Sequence, residues 1–267
     1  MSNKGSMRKI ANYKLSQVTT VMSKLTVKVR NRYFCVINKF LKRPKILIFT
    51  DSRGFEATKI WNKRNPYSSY IGAIIKNYEC VVKICPEKFT SILDFLDFYD
   101  SVRDRAFDKI ILHCGIVDFA PRPESSFDMI YKTKIQKIKK YNLEGYIDRA
   151  NRDFGEIYYG EKTLSFLNRD AISNVLLPLL KSIPNLVYIG VNPVLTDWDG
   201  SYWRRRPANI NDQLLLDAVL LNELQEVIDL SSLSEEEVKM YTSDNVHYTR
   251  VGFDYIYKML NPLMPKI

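Results

Sequence analysis

The sequence predicts an α/β protein built on one parallel, doubly wound sheet with helices on both faces. Two observations support this prediction: five short, β-branched apolar runs recur along the chain, and stretches with apolar residues at helical spacing separate them. Runs this short and this apolar are typical of parallel strands buried on both sides. The five predicted strands are residues 45–50, 79–85, 109–114, 186–191 and 227–230.

Between these runs, the spacing of apolar residues predicts helices over residues 54–64, 68–78, 90–105, 163–182, 210–226 and 250–260. Residues 124–162 are polar and lack this strand–helix rhythm. We interpret them as a largely helical insertion at the carboxyl edge of the sheet, where inserted loops commonly shape substrate pockets. The predicted α/β domain covers residues 44–267, with residues 1–43 as an arm.

The basic charge is concentrated in this arm. Residues 1–50 contain 12 Lys and Arg and no Asp or Glu, whereas the remaining 28 Lys and Arg face 30 Asp and Glu. Apolar residues three to five positions apart predict one or two basic amphipathic helices over residues 1–43. The arm either packs on its own domain, docks a partner or lies on an anionic surface, and the missing acidic residues favour the last. Nucleic acid is less favoured because no reading motif accompanies the charge.

Several classes of protein are disfavoured by composition. No apolar run approaches the length of a membrane span, and no secretory signal follows the basic first residues. Four cysteines without close pairing lie in or beside apolar runs, which predicts reduced core thiols: Cys35, Cys80, Cys85 and Cys114. We expect a cytoplasmic protein, with peripheral attachment to the inner face of a membrane left open. With only two histidines and no clustered ligands, we expect no metal site.

The first strand ends abruptly at Asp51-Ser52-Arg53-Gly54, where we expect a helix to begin. Ligands of open α/β sheets bind at the carboxyl ends of the strands. Ser52 is therefore expected on a sharp turn, beside the positive end of a helix and its N–H groups, which suit a developing oxyanion. The alternative is that Asp51 and Ser52 merely cap the helix.

A second candidate feature is the aromatic and basic loop Asp197–Pro207, which includes Trp198, Trp203 and Arg204. Aromatic side chains stack on flat ligands, and Arg forks onto phosphate or carboxylate, so the loop suits a sugar or an anionic group. The alternative is a surface loop that its aromatic residues anchor.

A serine becomes a nucleophile only when a base takes its proton and a third group holds that base in the right tautomer. We expect His113, in the third strand, to be buried or to line the edge of the site. His247 follows Asp244 in a polar loop after the last strand, and Asp-x-x-His can fold so that the carboxylate holds the imidazole. We therefore predict a triad of Ser52, His247 and Asp244.

These motifs resemble the SGNH (GDSL-like) hydrolase superfamily over about residues 45–262. The first block, usually Gly-Asp-Ser, matches Thr50-Asp51-Ser52 with Thr in place of Gly. The last block, Asp-x-x-His with a Gly a few residues on, matches Asp244, His247 and Gly252. The run from Ile210-Asn211 through Val227-Ile228-Asp229-Leu230 also resembles the approach to that block. The resemblance implies a flavodoxin-like sheet, with Ser52 as nucleophile, His247 as base and Asp244 as its orienting partner.

Two blocks depart from the family pattern. The third, usually Gly-x-Asn-Asp, reads Gly115-Ile116-Val117-Asp118, so Val117 stands where an amide normally helps to hold the oxyanion. The glycine of the second block has no clear counterpart in residues 86–90. Losing one oxyanion donor costs about 3 kcal/mol. We name Arg53 and Arg122 as candidate replacements, and Gly115 and Asp118 as further candidates for holding oxyanion or substrate.

The sequence thus favours a serine esterase or deacylase of SGNH type, which acts on an O-acylated carbohydrate through an acyl-serine intermediate and needs no cofactor. One alternative is an O-acyltransferase of a surface or capsular glycan, which uses the same triad with acetyl-CoA or another acyl donor. A second alternative is a non-catalytic SGNH-like module that binds a glycan or a partner protein.

Overall fold

The structure, a computed structural model, describes residues 3–148, 155–201 and 205–267. Its centre is a five-stranded sheet of β1 Lys45–Thr50, β2 Glu79–Ile84, β3 Lys109–His113, β7 Leu186–Ile189 and β8 Glu226–Ile228. All neighbouring strands are parallel, and their order is β2-β1-β3-β7-β8. The predicted α/β class and the flavodoxin-like strand order are confirmed.

Helices cover both faces of this sheet. Successive residues of a strand point to opposite faces, and in these strands the residues on both faces are apolar. In β1, Leu47 and Phe49 belong to one buried cluster, whereas Ile46 and Ile48 belong to another on the opposite face. The described helices are α1 Asn3–Phe40, α2 Ile71–Asn77, α3 Ile92–Asp100, α4 Ile116–Phe119, α5 Glu124–Lys140, α6 Arg169–Ala171, α7 Leu177–Lys181, α8 Asp212–Glu223, α9 Glu235–Tyr241 and α10 Arg250–Leu260.

The helix predicted over residues 54–64 is wrong, whereas the helix predicted over residues 68–78 is present as α2 Ile71–Asn77. Residues 52–68 form three short 3₁₀ turns, and α2 begins only at Ile71. Two local features explain this. Arg64 adopts a left-handed backbone with φ 58°, and Asn65 precedes a proline, which disfavours the helical conformation. Asn65 instead accepts a hydrogen bond from the Tyr67 N–H and caps the last turn.

Among the described residues of the insertion, the α-helix is α5, which lies in the first half. A small antiparallel sheet with the order β4-β6-β5 joins both ends of the insertion, and its strands are β4 Arg122–Pro123, β5 Ile157–Tyr158 and β6 Glu161–Leu164. The helix predicted from residue 163 begins only at Arg169, where the Asn168 side chain accepts a hydrogen bond from the Ala171 N–H. One π-helical turn, Ile172–Leu176, joins α6 to α7.

The described part of the arm is one helix, α1, whose carboxyl-terminal half lies on α2. Asn38 is buried and donates hydrogen bonds to the carbonyls of Ile75 and Tyr78, both at 2.8 Å. Arg30 lies over the Tyr67 ring at 4.1 Å. In the described parts of the chain, no helix combines the length and apolar character that crossing a membrane requires.

The four thiols differ in their surroundings. Cys114 is buried at the end of β3, Cys80 and Cys85 are partly buried, and Cys35 is exposed on α1. The prediction of core thiols is therefore wrong for Cys35, which lines a small open pocket between α1 and Cys80 and stays exposed there.

Candidate active site

Ser52 lies in a turn, residues 51–54, that follows β1 and is named the serine turn. It lies at the point where the direction in which successive strands are added to the sheet reverses. From β1, the chain moves first to β2 on one side and then to β3 on the other. The Asp51 N–H donates to the His113 carbonyl at 3.0 Å, so the turn leaves the sheet beside the end of β3. In doubly wound sheets this switch point is where ligands bind.

Ser52 begins a single 3₁₀ turn, Ser52–Gly54, and the helix expected there is wrong. Asp51 caps the turn by accepting the Arg53 N–H at 2.9 Å. A side chain at Gly54 would place its Cβ 2.0 Å from Oγ1 of Thr50. Gly54 therefore leaves the space that the Thr50 side chain occupies.

The structure brings together the three residues of the predicted triad. His247 Nε2 lies 3.1 Å from Ser52 Oγ, although the two residues are 195 positions apart in the chain. His247 Nδ1 lies 2.8 Å from Asp244 Oδ2. The His247 side chain is 22% exposed and that of Asp244 is 9% exposed, so the Asp244 carboxylate is the more deeply buried of the two groups. Both distances are within hydrogen-bond range.

Asp244 is held by its own loop. Its Oδ1 accepts the N–H groups of Val246 at 3.0 Å and His247 at 2.7 Å, which leaves Oδ2 directed to the imidazole. Burial alone would raise the pKa of Asp244, but the interaction with His247 and these two N–H groups outweigh it and lower the pKa below its usual value. The carboxylate is therefore charged at neutral pH and holds the proton on His247 Nδ1.

Asp244→Asn is expected to lower kcat for p-nitrophenyl acetate by about 10⁴-fold, because an amide favours the wrong tautomer of His247. Steady-state turnover of the folded variant measures this loss. The exposed Asp254→Asn on α10 is a matched control and should keep the wild-type rate. An unchanged rate in Asp244→Asn would contradict the assigned role.

The loop of residues 244–248, named the histidine loop, is held by a polar network that was not predicted from the sequence. The Tyr248 hydroxyl donates to Asn192 Oδ1 at 2.9 Å, and Asn192 Nδ2 donates to the Asn245 carbonyl at 2.8 Å. Asn245 Oδ1 accepts the Leu195 N–H at 2.8 Å, and its backbone is left-handed with φ 69°. The available signals were Asn192 at the end of a predicted strand and Asn245 between the two triad residues, since Asn tolerates this conformation.

The candidate Arg53 does not face a substrate. Its side chain is fully buried, with Nε and Nη2 donating to the Asp51 carboxylate and Nη1 donating to the Gly190 carbonyl at 3.1 Å. Burial lowers the pKa of Arg53, but the Asp51 charge reverses this and raises it above its ordinary value. Arg53 joins the serine turn to the end of β7, so the expectation that it replaces the oxyanion amide is corrected.

The residues after β3 are also more buried than expected. Gly115 has φ 131° and opens α4, in which Val117 and Asp118 are both buried. Asp118 Oδ2 accepts the Ile92 N–H at the start of α3, at 3.1 Å. Burial raises the pKa of Asp118 to about 8, against the opposing effect of that hydrogen bond. Asp118 is thus a neutral carboxyl at pH 7 that joins α3 to α4, and the structure does not place it on substrate.

Asp118→Asn should flatten the dependence of stability on pH. Between about pH 4, the ordinary pKa of an unfolded Asp, and about 8, the folded state keeps a proton that the unfolded chain loses. The free energy of unfolding therefore falls as pH rises through this window, and Asn removes the fall. Urea unfolding at pH 5 and pH 8 measures the difference, with the exposed Asp104→Asn as a control that should follow wild type. Parallel curves for wild type and Asp118→Asn would contradict the assignment.

The aromatic and basic loop borders the triad. The Ser201 N–H donates to the Ser243 carbonyl at 2.7 Å, and the Trp198 carbonyl accepts from Asn245 Nδ2. Arg206, which the sequence analysis did not single out, donates to the Asp244 carbonyl at 3.3 Å. The candidates Trp203 and Arg204 lie outside the described residues.

The two remaining predicted residues differ in position. The Arg122 side chain is half-buried and donates from Nη2 to the Ile116 carbonyl at 3.1 Å, beside the loop after β3. His113 is fully buried, as one of its two expected placements has it, and its Nδ1 lies 3.0 Å from the Tyr70 hydroxyl. Burial, together with Arg53, lowers the pKa of His113 well below its ordinary value. His113 is therefore neutral, and its complete burial at the end of β3 keeps its ring away from substrate.

Comparisons with known proteins give a likeness of fold. No family model and no curated protein sequence matches the chain. The chain is similar in structure to a lipase/acylhydrolase from Enterococcus faecalis, with a TM-score of 0.49 and 14% identity over 84% of this chain and 99% of that one. A second solved structure has a TM-score of 0.45 and 17% identity, over 84% of this chain and 96% of the other.

Proposed function

We propose that the chain is a serine esterase or deacylase of SGNH type that hydrolyses an ester on an O-acylated carbohydrate. The observation that carries this proposal is the continuous relay from Ser52 Oγ through His247 to Asp244, with distances of 3.1 and 2.8 Å. Serine, imidazole and carboxylate in this order are the groups that acyl transfer to a serine requires.

In the acylation step, His247 Nε2 takes the Ser52 hydroxyl proton while Oγ attacks the acyl carbonyl. The imidazolium, stabilised by Asp244, then returns that proton to the leaving sugar oxygen as the ester C–O bond breaks. In the second step, His247 takes a proton from water, the hydroxide oxygen attacks the acyl-serine, and Ser52 leaves with the proton from His247. The products are the deacylated sugar and a carboxylic acid.

Backbone groups of the serine turn are the proposed oxyanion donors. Within the described parts of the chain, Arg53 and Gly54 donate the hydrogen bonds of this turn, whereas the Ser52 N–H donates none. The Ser52 N–H is therefore available to the developing charge. Val117 has no polar side-chain atom, so the oxyanion site has one hydrogen-bond donor fewer than the family pattern. We therefore expect a lower rate of ester hydrolysis than a complete set of donors gives.

Two features at the rim support a carbohydrate as the substrate class. The loop with Trp198 and Arg206 lies against residues 244–248, and the Arg206 guanidinium lies beside Asp244. The hairpin of the insertion lies on the same side, since the Tyr158 hydroxyl donates to the Arg205 carbonyl at 2.5 Å. A sugar ring presents hydroxyls and flat C–H faces, which these groups suit.

A fluorophosphonate probe tests the nucleophile. The wild-type chain should be labelled, Ser52→Ala should not be, and the exposed Ser201→Ala should be labelled like wild type. A folded wild-type chain that never reacts would favour the alternative of a non-catalytic glycan- or partner-binding module.

Turnover experiments separate hydrolase from transferase and test the substrate class. Release of p-nitrophenol from the acetate ester should proceed without a sugar acceptor, and a sugar should not accelerate it. An acylated sugar formed from acetyl-CoA would instead establish the O-acyltransferase alternative. An acetylated sugar should be preferred over an acetate of an apolar alcohol of similar size, and the reverse order would exclude the carbohydrate class.

A further inference from the structure

The carboxyl-terminal half of α1 has two faces with opposite roles. The inner face packs on the body of the protein through Phe34 and the buried Asn38. The outer face is a stripe of apolar side chains, spaced three or four residues apart, which each expose more than half of their surface: Met22, Leu25, Val29, Tyr33, Val36 and Phe40. Exposed apolar area that is continuous in this way marks an interaction surface.

This half of α1 is basic, with Lys24, Lys28, Arg30, Arg32 and Lys39, and α1 contains no Asp or Glu. Beside the outer stripe, a groove of about 610 Å³ lies between α1 and residues 63–65. The groove is apolar along its α1 side, at Val21, Leu25 and Val27, and basic at its rim, where the four cationic residues are Lys24, Lys28, Lys63 and Arg64. An apolar floor with a cationic rim suits an amphiphile with an anionic head.

We propose that α1 binds the surface of an anionic phospholipid bilayer, lying in its plane with the outer stripe among the acyl chains and the basic groove on the head groups. Such a helix combines an apolar face with Lys and Arg that contact anionic lipid. A second copy of the chain fits less well, because two helices without acidic residues would repel each other. Nucleic acid would use the charge but not the aliphatic stripe. This inference is independent of the triad.

Co-sedimentation of the full chain with vesicles tests the proposal. We expect binding to vesicles of phosphatidylglycerol and phosphatidylcholine in equal parts, and little to phosphatidylcholine alone. Each basic residue near an anionic membrane surface raises the binding constant for the vesicles about five-fold. Binding should therefore fall about 10²- to 10³-fold when Gln replaces all four cationic residues of the groove, Lys24, Lys28, Lys63 and Arg64. A loss of at least about 10²-fold is expected when Gln replaces four stripe residues, namely Leu25, Val29, Tyr33 and Val36.

Matched controls change the same chemistry elsewhere on the surface. Four exposed basic residues of the domain become Gln in one control: Lys88, Arg105, Lys132 and Lys139. Four exposed apolar residues become Gln in the other: Met129, Leu215, Met240 and Val251. Both controls should bind vesicles like wild type, and circular dichroism confirms that every variant is folded.

Three results would overturn the proposal. The first is wild-type binding that is absent or insensitive to lipid charge. The second is equal loss in the variants and their controls. The third is a dimer in sedimentation velocity that the stripe variant abolishes, without vesicle binding by wild type, which would make a second copy the occupant. Ser52→Ala should bind vesicles like wild type, so failure here and failure of the catalytic proposal remain distinguishable.

Discussion

Ser52→Ala is expected to lower kcat for p-nitrophenyl acetate by about 10⁴- to 10⁶-fold, which is the range that loss of a triad nucleophile produces in serine hydrolases. The physical reason is that Ser52 Oγ is the atom to which His247 is hydrogen-bonded, and alanine leaves the base with no nucleophile to activate. His247→Ala should cost a similar factor, because the hydroxyl then keeps its proton.

The double variant gives a sharper test than either single one. Members of a triad act as a unit, so Ser52→Ala/His247→Ala should be no slower than the slower single variant. Multiplied losses would mean that the two residues act independently, which the 3.1 Å contact between them argues against. His113 cannot replace His247 as the base in these variants, since its ring is enclosed at the end of β3.

The residues of the triad were predictable from the sequence. Ser52 and the pair Asp244 and His247 were predicted from local patterns, an abrupt strand end and an Asp-x-x-His spacing. The parallel sheet was predicted because its strands carry a strong apolar signal in short runs. The convergence of the two motifs follows from the sheet order, which brings loops from distant parts of the chain to one edge.

What the sequence missed depends on contacts between distant segments. The antiparallel pairing of Ile157–Tyr158 with Glu161–Leu164 uses strands too short and too polar to give a periodic signal. The placement of Asn192 under the histidine loop depends on the fold as a whole. Arg53 was predicted as a candidate replacement for the oxyanion amide, whereas its side chain is buried and paired. Its pairing with Asp51, two positions away, is visible only when the turn is folded.

Arg53→Met is expected to reduce the free energy of unfolding by about 3–5 kcal/mol, the usual cost of removing one partner of a buried ion pair. The side chains of Arg53 and Asp51 are 1% and 2% exposed, so the Asp51 carboxylate would be left buried without a counter-charge. The Gly190 carbonyl would also lose its donor. Urea unfolding measures the loss, and the exposed Arg105→Met should stay close to wild type.

A second variant separates the structural role of Arg53 from a catalytic one. Asp51→Asn/Arg53→Met removes both buried charges and should regain part of the stability lost in Arg53→Met, since the uncompensated carboxylate is then absent. If Arg53 instead acted directly on the oxyanion, Arg53→Met would keep wild-type stability and lose activity alone. The contacts of its three guanidinium nitrogens with Asp51 and Gly190 predict the opposite order, in which stability falls first and activity follows because the Ser52 turn is no longer held beside the end of β7.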